Sequence, residues 1–141
     1  MQIAMIGAGY VGLVTGACFS EFGANVTCVD KDVNKISVLK DGKIPIFEPG
    51  LKALVQSNVQ SNRLTFTSDL KTAVEKADAV FIAVGTPSRR GDGHADLSFI
   101  FSAAEEIAHA ISNYTLIVTK STVPVGTGRQ VAEKIRRISP E

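Results

Sequence analysis

Three glycine residues near the amino terminus, Gly7, Gly9 and Gly12, have the spacing G-x-G-x-x-G. In a chain with twelve glycines this spacing arises easily by chance, so it is informative only between a strand and a helix. Here the apolar residues 3–6 precede the motif, and a helical pattern begins at Val11. The motif therefore predicts a turn whose backbone N–H groups, at the start of a helix, face the phosphates of a dinucleotide. The alternative is a glycine-rich turn that binds no ligand.

Each glycine of this motif has a different predicted role. Gly7 permits a tight turn, and Gly9, which has no side chain, lets a pyrophosphate approach the backbone. Gly12 allows the helix to pack closely on the strand.

Asp30 ends the second apolar segment, 23 positions after Gly7. A carboxylate there is expected to accept hydrogen bonds from both hydroxyls of an adenosine ribose and to repel a 2′-phosphate. At a separation of about 4 Å the repulsion is about 4 kcal/mol at an effective dielectric of about 20, so the sequence predicts NAD rather than NADP. Lys31 and Lys35 are nearby cations that could offset this repulsion of the 2′-phosphate. Lys35 could also meet the ribose edge or the pyrophosphate, or be a solvated helix lysine.

Small hydroxyl residues follow two later apolar segments, at the position where an open parallel sheet binds its ligand. Residues 85–87 read Gly-Thr-Pro, and residues 120–124 read Lys-Ser-Thr-Val-Pro. Thr86 and Thr122 are therefore candidates to bond the nicotinamide half of the cofactor. The alternative is that Ser121, Thr122 and Thr127 merely cap the last helix, which serine and threonine often do.

The remaining reactive residue types form no recognisable catalytic or metal-binding pattern. His94 lies in a polar loop, and His109 lies near a helix end, where a cation suits the helix dipole. Cys18 and Cys28 are interpreted as reduced, small apolar residues. The spacing of these residues predicts no metal site and no Ser-His-Asp arrangement.

The elements that must position these residues alternate regularly along the chain. Several of the apolar segments are continuous, which is typical of strands covered on both faces. Alternating strands and helices predict an α/β fold, a Rossmann-type doubly wound parallel sheet with helices on both faces. The predicted strands are residues 3–6, Asn25–Val29, 63–67, 79–84 and Leu116–Thr119, and the predicted helices are residues 11–22, 32–40, 70–76 (after a Ser68 or Asp69 cap), 96 or 98 to about 110, and 124–138.

Length and composition limit the remaining possibilities. The 141 residues are sufficient for one domain, and 45% of them are hydrophobic. The formal charge of +1 is spread without a basic stripe, so no nucleic-acid partner is expected. The apolar runs are too short to cross a membrane, and the amino terminus lacks a signal pattern, so a cytoplasmic location is expected. The chain ends at Glu141, where a further strand would be expected, which suggests a domain fragment.

Five stretches of the chain together resemble the UDP-glucose dehydrogenase family. The glycine motif is shared by many dehydrogenases, whereas three others are more particular: P-I-x-E-P-G-L at residues 45–51, V-G-T-P at residues 84–87 and S-T-V-P-x-G-T at residues 121–127. The segment after V-G-T-P looks more like the UDP-glucose enzymes than their GDP-mannose or acetylated-sugar relatives. The stretches are GAGYVGLVTGACF, CVDKDVNKI, GKIPIFEPGL, VFIAVGTPSRRGDGHADLS and VTKSTVPVGT.

The resemblance implies an enzyme that oxidises the C6 hydroxyl of UDP-glucose to a carboxylate with two NAD. It implies that Thr122 lies beside the nicotinamide and helps to position a water or the reacting group; Glu48 receives no catalytic role. The family's nucleophilic cysteine, lysine and glutamate-bearing loop would lie beyond Glu141. The fragment is therefore expected to bind NAD weakly without turnover, and the full-length enzyme to be a homo-oligomer. The implied NAD contacts are Gly7, Gly9, Tyr10, Val11, Gly12, Asp30, Lys35, Thr86, Ser121 and Thr122.

Three alternatives remain beside this interpretation. One is another nucleotide-sugar dehydrogenase, acting on GDP-mannose or a UDP-N-acetylhexosamine, because residues that read the base are absent from these 141. The second is a non-catalytic NAD-binding module, such as a sensor, although such a module has no obvious need for the S-T-V-P segment. The third, a methyltransferase with a glycine-rich nucleoside loop, predicts none of the dehydrogenase motifs.

Overall fold

The computed structural model describes residues 1–91 and 93–140. Asp92, within the family-like stretch VFIAVGTPSRRGDGHADLS, and Glu141, at the predicted end of the domain, lie outside the described residues. Within the described ranges the chain alternates between strands and helices, as the sequence predicts. The elements are β1 (Gln2–Ile6), α1 (Tyr10–Glu21), β2 (Asn25–Val29), α2 (Val33–Lys40), α3 (Leu51–Gln60), β3 (Leu64–Thr67), α4 (Leu70–Glu75), β4 (Ala79–Ile82), α5 (Ser98–Ala110), β5 (Leu116–Thr119) and α6 (Thr127–Ile138).

The strands form one sheet in the order β3-β2-β1-β4-β5, and every neighbouring pair is parallel. The order reverses at β1, which pairs with β2 on one side and β4 on the other. Ile6 is in register with Val29 and Ile82, and Ile82 with Thr119. The residues that follow these strands are therefore brought to one edge of the sheet, at the point where an open sheet binds its ligand.

Helices cover both faces of the sheet, which confirms the doubly wound architecture. On one face, Leu13 of α1, Ile36 of α2 and Val55 of α3 pack in a buried cluster with Met5 and Cys28 of the sheet. On the other face, residues of α4, α5 and α6 form a second cluster with the alternate residues of the strands. The central strands β1 and β4 are apolar on both faces because both faces are largely buried, whereas the edge strands β3 and β5 are partly exposed.

Helix α3 was not predicted from the sequence. It carries Leu51, Val55 and Asn58 on its buried face at helical spacing. It begins, however, after Gly50, which has a φ of 82° and provides no side-chain cap. The usual signal of Ser, Thr, Asp or Asn before the first turn is thus missing, and the preceding Pro- and Gly-containing loop obscures the start of the helix.

Several predicted boundaries differ from the observed ones. Strand β4 ends at Ile82 rather than at residue 84, and α6 begins at Thr127 rather than at residue 124. Asp69, not Ser68, caps α4, because its carboxylate accepts a hydrogen bond from the backbone N–H of Thr72. Among the described residues, no helix combines the length and apolar composition needed to cross a bilayer.

A buried polar network joins α1, α3 and the start of β3. Asn58 is fully buried, and its amide nitrogen donates to Glu21 at 2.7 Å and to the carbonyl of Leu54 at 2.9 Å. Its amide oxygen accepts from the Nε of Arg63 at 3.1 Å, and the same Nε lies 3.0 Å from the carbonyl of Ser20. Because a buried polar group is costly without partners, this network fixes how α3 packs against α1.

Candidate cofactor-binding site

A cleft of about 640 Å³ lies at the carboxyl ends of β1, β2 and β4. Its walls include Gly7, Gly9 and Asp30 from the sequence-predicted site, together with residues of α4 and α5. A somewhat larger groove, of about 720 Å³, runs between β5 and α6 beside Ile117 and Val131. That groove contains none of the predicted site residues and lies at the edge of the sheet, so the smaller cleft is the better candidate for a cofactor site.

The three glycines of the turn differ in the space around them. Gly7 has a φ of 104°, and a Cβ added there would lie 2.6 Å from the carbonyl oxygen of Ala83. A Cβ at Gly12 would lie 1.8 Å from the carbonyl oxygen of Gly7, whereas one at Gly9 would meet no atom within 4 Å. Packing therefore requires glycine at positions 7 and 12. At Gly9 the backbone faces open space, as the approach of a pyrophosphate requires.

Helix α1 begins at this open position. Gly9 is its N-cap residue, no side chain caps the helix, and its first turn contains no acidic residue. Tyr10 and Val11, in the first turn, are 50% and 45% exposed. The first N–H groups of a helix carry a partial positive charge, and an uncapped start of this kind suits an anion. The turn thus fits the pyrophosphate of NAD.

Asp30 connects the glycine turn to α2. Its Oδ2 accepts from the backbone nitrogen of Ala8 at 3.0 Å and from Nζ of Lys35 at 2.9 Å, and its Oδ1 accepts from the nitrogen of Asp32 at 3.0 Å. Partial burial alone would raise the pKa of this carboxyl, but the hydrogen bonds from Asp32, Lys35 and Ala8 outweigh it, and the pKa is lowered. Asp30 is therefore ionised at neutral pH and acts as a fixed acceptor.

The two lysines beside Asp30 both have carboxylate partners. Lys35 pairs with Asp30 itself, so the interpretation of Lys35 as a solvated helix lysine is not what the structure shows. Lys31 reaches across the cleft to Glu106 of α5. Glu106 also accepts a hydrogen bond from the hydroxyl of Ser102, one turn earlier on the same helix, at 3.2 Å. The cleft beside Asp30 is thus lined by paired charges.

Thr86 and Thr122 meet where β4 and β5 end. The hydroxyl of Thr86 donates to the carbonyl of Thr122 at 3.2 Å, and the two hydroxyl oxygens lie 3.5 Å apart. The Ser121 hydroxyl donates to the carbonyl of Val84 at 2.7 Å, which holds the two strand ends together. Gly85 and Pro87, on either side of Thr86, line the cleft. The structure therefore brings the predicted hydroxyl residues together beside the site.

The capping alternative for these hydroxyl residues is wrong. Helix α6 begins at Thr127, its N-cap residue is Gly126 with a φ of 92°, and no side chain caps it. Thr127 instead donates to the carbonyl of Pro124 at 2.8 Å. Ser121 and Thr122 lie several residues before the helix, so capping does not explain them.

Neither cysteine of the described chain is placed as a nucleophile. Cys28 lies inside the sheet, and burial raises the pKa of its thiol to about 12, which leaves it protonated and inert. Cys18 lies on α1 and is only partly exposed. In residues 1–91 and 93–140, no group of three or more His, Cys, Asp or Glu side chains is arranged to hold a metal ion.

Sequence reasoning did not identify the side of the cleft that α4 and α5 form. Leu70, Phe99, Ala103 and Glu106 line it, opposite the ends of β1 and β2. Phe99, in the first turn of α5, is 53% exposed. The sequence gave no indication that the first turn of α5 faces the glycine motif. The two are brought together by the packing of α5 on β4, which helical spacing does not report.

Comparison with known proteins agrees with this geometry. Residues 1–140 match the family model described as the UDP-glucose/GDP-mannose dehydrogenase family, NAD binding domain. A UDP-glucose 6-dehydrogenase of Rhizobium meliloti (strain 1021) is 67% identical over 140 residues, which cover 99% of this chain and 32% of the relative. UDP-glucose 6-dehydrogenase TuaD of Bacillus subtilis (strain 168) is 51% identical over 98% of this chain and 30% of its own length.

A solved structure is also closely similar. The chain superimposes on a ternary complex of GDP-mannose dehydrogenase from Pseudomonas aeruginosa with a TM-score of 0.94 and 41% sequence identity. The match covers 100% of this chain and 33% of that one. The chain thus spans about a third of the length of the relatives that it matches.

Proposed function

The chain belongs to the UDP-glucose/GDP-mannose dehydrogenase family as its NAD-binding domain, and from this premise we propose that it serves a UDP-glucose 6-dehydrogenase. In the proposed reaction the C6 primary alcohol of UDP-glucose, two NAD⁺ and one water yield UDP-glucuronate, two NADH and three protons. NAD supplies the chemistry as the hydride acceptor in both oxidation steps. The residues of this chain bind and orient it.

The geometry of the glycine turn is the observation that best supports this proposal. Gly7 and Gly12 are fixed by contacts that exclude a Cβ, while the space over Gly9 is open. Asp30, bonded to the same turn through Ala8, presents an ionised carboxylate to the expected position of the ribose. In this assignment the backbone of residues 7–12, with Tyr10 and Val11, binds the pyrophosphate, and Asp30 and Lys35 bind the adenosine ribose.

The hydroxyl residues after β4 and β5 are proposed to serve the nicotinamide half. Thr86 and Thr122 form a hydrogen-bonded pair at the strand ends, and Ser121 secures that arrangement through Val84. We assign Thr86 and Ser121 to positioning the cofactor. Thr122 is exposed beside them, and we assign it to holding a water or the reacting group near the nicotinamide.

Residues 1–141 alone are proposed to bind NAD without oxidising the sugar. Forming a carboxylate from an alcohol through a covalent intermediate needs a reactive nucleophile, and a buried thiol with a raised pKa cannot provide one. By resemblance to the family, a cysteine and a lysine in the part of the relatives that this chain does not cover carry these steps. The same part is expected to bind the sugar nucleotide and to form the contacts of a homo-oligomer.

A titration of the chain with NAD⁺ and NADP⁺ in a calorimeter tests cofactor binding. Saturable binding of NAD⁺ is expected, whereas saturable binding of NADP⁺ without NAD⁺ would contradict the role of Asp30. Oxidation of UDP-glucose is tested with the protein as the cell produces it, including any residues beyond this chain. NADH formation should require UDP-glucose, in a ratio of two NADH to one sugar.

GDP-mannose is the second candidate substrate, because the structure that superimposes with a TM-score of 0.94 is a GDP-mannose dehydrogenase. The higher identity of 67% to a UDP-glucose 6-dehydrogenase favours UDP-glucose. The experiment compares kcat/KM for UDP-glucose, GDP-mannose and a UDP-N-acetylhexosamine. A higher value for GDP-mannose or the acetylated sugar would replace the proposed substrate, and NAD⁺ binding without oxidation of any of them would favour a non-catalytic module.

A further inference from the structure

The end of the cleft beside Asp30, proposed to bind the ribose, contains five charged side chains, four of which form two ion pairs. Lys35 pairs with Asp30 at 2.9 Å, and Lys31 pairs with Glu106. The fifth, Asp32, is the N-cap residue of α2 and accepts a hydrogen bond from the backbone nitrogen of Lys35. These are all the Lys, Arg, Asp and Glu residues among the cleft-lining residues described, and three carboxylates face two ammonium groups.

Lys31 occupies a position with a specific consequence for cofactor choice. It directly follows Asp30, the residue at the carboxyl end of β2 where a Rossmann domain contacts the adenosine ribose. In such domains a cation near this acid accommodates the 2′-phosphate of NADP. A lysine here, unpaired, would therefore favour NADP and act against the selection that Asp30 provides.

Glu106 removes that effect. It is the partner of Lys31 across the cleft, from α5 to the end of β2, and the hydroxyl of Ser102 supports its carboxylate at 3.2 Å. We propose that Glu106 is a specificity-determining residue that excludes NADP by holding the charge of Lys31. This inference rests on the proposed cofactor role of the cleft. It extends that role to Glu106 of α5, a helix remote in sequence from the glycine motif.

The expected size of the effect is modest because both side chains contact solvent. Lys31 is 73% and Glu106 39% exposed, and ion pairs with such exposure are screened by water and salt. We expect Glu106→Gln to increase the affinity for NADP⁺ by about three- to tenfold, because a 2′-phosphate carries up to two charges near the released ammonium. The affinity for NAD⁺, which lacks that phosphate, should change by less than about twofold.

The neighbouring residue Glu105 provides a matched control. It lies on the same helix and forms a similar ion pair, with Lys134 of α6 at 2.9 Å. Neither member of that pair lines the cleft. Glu105→Gln therefore removes the same charge and the same type of contact from α5, without changing the ribose end.

The experiment measures the dissociation constants of NAD⁺ and NADP⁺ by calorimetry for the protein as the cell produces it and for three variants: Glu106→Gln, Glu105→Gln and the double variant Lys31→Gln/Glu106→Gln. Measurements at about 0.05 M and about 0.5 M salt test the electrostatic origin of the effect. The preference for NAD⁺ should decrease in Glu106→Gln alone. The decrease should be smaller at the higher salt concentration and absent from the double variant.

An unchanged NADP⁺-to-NAD⁺ ratio in Glu106→Gln, an equal change in Glu105→Gln, or a change that persists in the double variant would overturn the inference. Failure of the proposed function gives a different result, since the unmodified protein would then show no saturable binding of NAD⁺. Circular dichroism spectra of the variants establish that the fold is retained, which is expected for partly exposed side chains.

Discussion

The carboxylate of Asp30 lies 3.0 Å from the backbone nitrogen of Ala8, so the acid that follows β2 is bonded to the glycine turn that follows β1. The same Oδ2 atom accepts from Lys35 of α2. The proposed ribose-binding and phosphate-binding groups are therefore one connected unit. A change at Asp30 should affect both the contact with the ribose and the placement of the turn.

Asp30→Ala is expected to weaken NAD binding by about tenfold or more, since hydrogen bonds to a charged group contribute about 1.5–3 kcal/mol each. The dissociation constant for NAD⁺, measured by calorimetry, tests this. Asp41→Ala is the control, because Asp41 lies at the opposite end of α2 and is exposed. Equal affinities for the unmodified protein and Asp30→Ala would place the ribose-binding acid elsewhere.

The lowered pKa of Asp30 predicts a pH-dependent contribution to stability. Because the folded pKa lies below the unfolded value, the contribution is fully present above that unfolded value, at about pH 4, and is lost as the pH falls through the folded pKa. Asp30→Asn removes this titration. The difference in unfolding free energy between the two proteins, from urea denaturation, should therefore be largest near neutral pH and diminish in acid.

Other carboxyls, including Asp69 and Asp96, also have lowered pKa values and contribute to the acid sensitivity of the whole chain. The difference between the two proteins isolates Asp30 from them. A difference that stays constant or increases as the solution is acidified would contradict the proposed ionisation.

The glycine turn predicts opposite effects for two alanine substitutions. Gly12→Ala would place a Cβ 1.8 Å from a backbone oxygen, so it should destabilise the fold by about 1–3 kcal/mol or more. Gly9→Ala meets open space, and its φ of −79° suits alanine, so its stability should change by less than about 0.5 kcal/mol. Its added methyl group would occupy the space proposed for the pyrophosphate, and NAD affinity should fall about tenfold or more.

Thermal unfolding and NAD titration of the two variants separate these effects. Retained NAD affinity in a stable Gly9→Ala variant would move the phosphate site away from the turn. A fully stable Gly12→Ala variant would contradict the observed packing.

The elements around the glycine motif were predictable because their signals are local. Continuous apolar segments, a glycine spacing and an acid 23 positions after Gly7 predict the strands, the turn and the proposed ribose site without reference to distant parts of the chain. Parallel pairing then places the ends of β1, β4 and β5 at one edge, which is why the sequence assigned Thr86 and Thr122 to the same half of the cofactor. The structure joins the two residues by a hydrogen bond, while their roles remain predictions.

The features that sequence reasoning missed depend on tertiary packing. Helix α3 has no polar cap to mark its start, and its stability comes from the face that it buries. The pair formed by Lys31 and Glu106 joins residues 75 positions apart, through the packing of α5 near the end of β2. No periodicity in the sequence reports such a contact.

The buried network around Asn58 predicts a stability effect remote from the cofactor site. Asn58→Leu would leave Glu21 and the Nε of Arg63 without this partner, at a cost of about 1–3 kcal/mol in the free energy of unfolding. Gln56→Leu introduces the same side chain at an exposed position of α3 and serves as the control. Urea denaturation should show a clear decrease in the free energy of unfolding for Asn58→Leu and almost none for Gln56→Leu. Equal decreases would mean that the network contributes no specific stability.

Thr122→Val tests whether the hydroxyl beside the nicotinamide site serves the reaction or the fold. The Thr86 hydroxyl donates to the backbone carbonyl of Thr122, which valine retains, so the junction of the strand ends should persist. We expect the NAD dissociation constant to change by less than about threefold and kcat to fall by about 10²-fold in the protein as the cell produces it, the low end of the range for losing a positioned proton-transfer group.

Thr122→Ser keeps the hydroxyl without the methyl group and should recover most of the lost rate. Thr86→Val provides the complementary variant, because it breaks the hydrogen bond between the strand ends and should raise the NAD dissociation constant. If Thr122→Val instead raised the NAD dissociation constant and left kcat at saturating NAD unchanged, the hydroxyl would be a cofactor contact alone. Full activity in Thr122→Val would remove the residue from the reaction, because the hydroxyl is the only polar group that this substitution deletes.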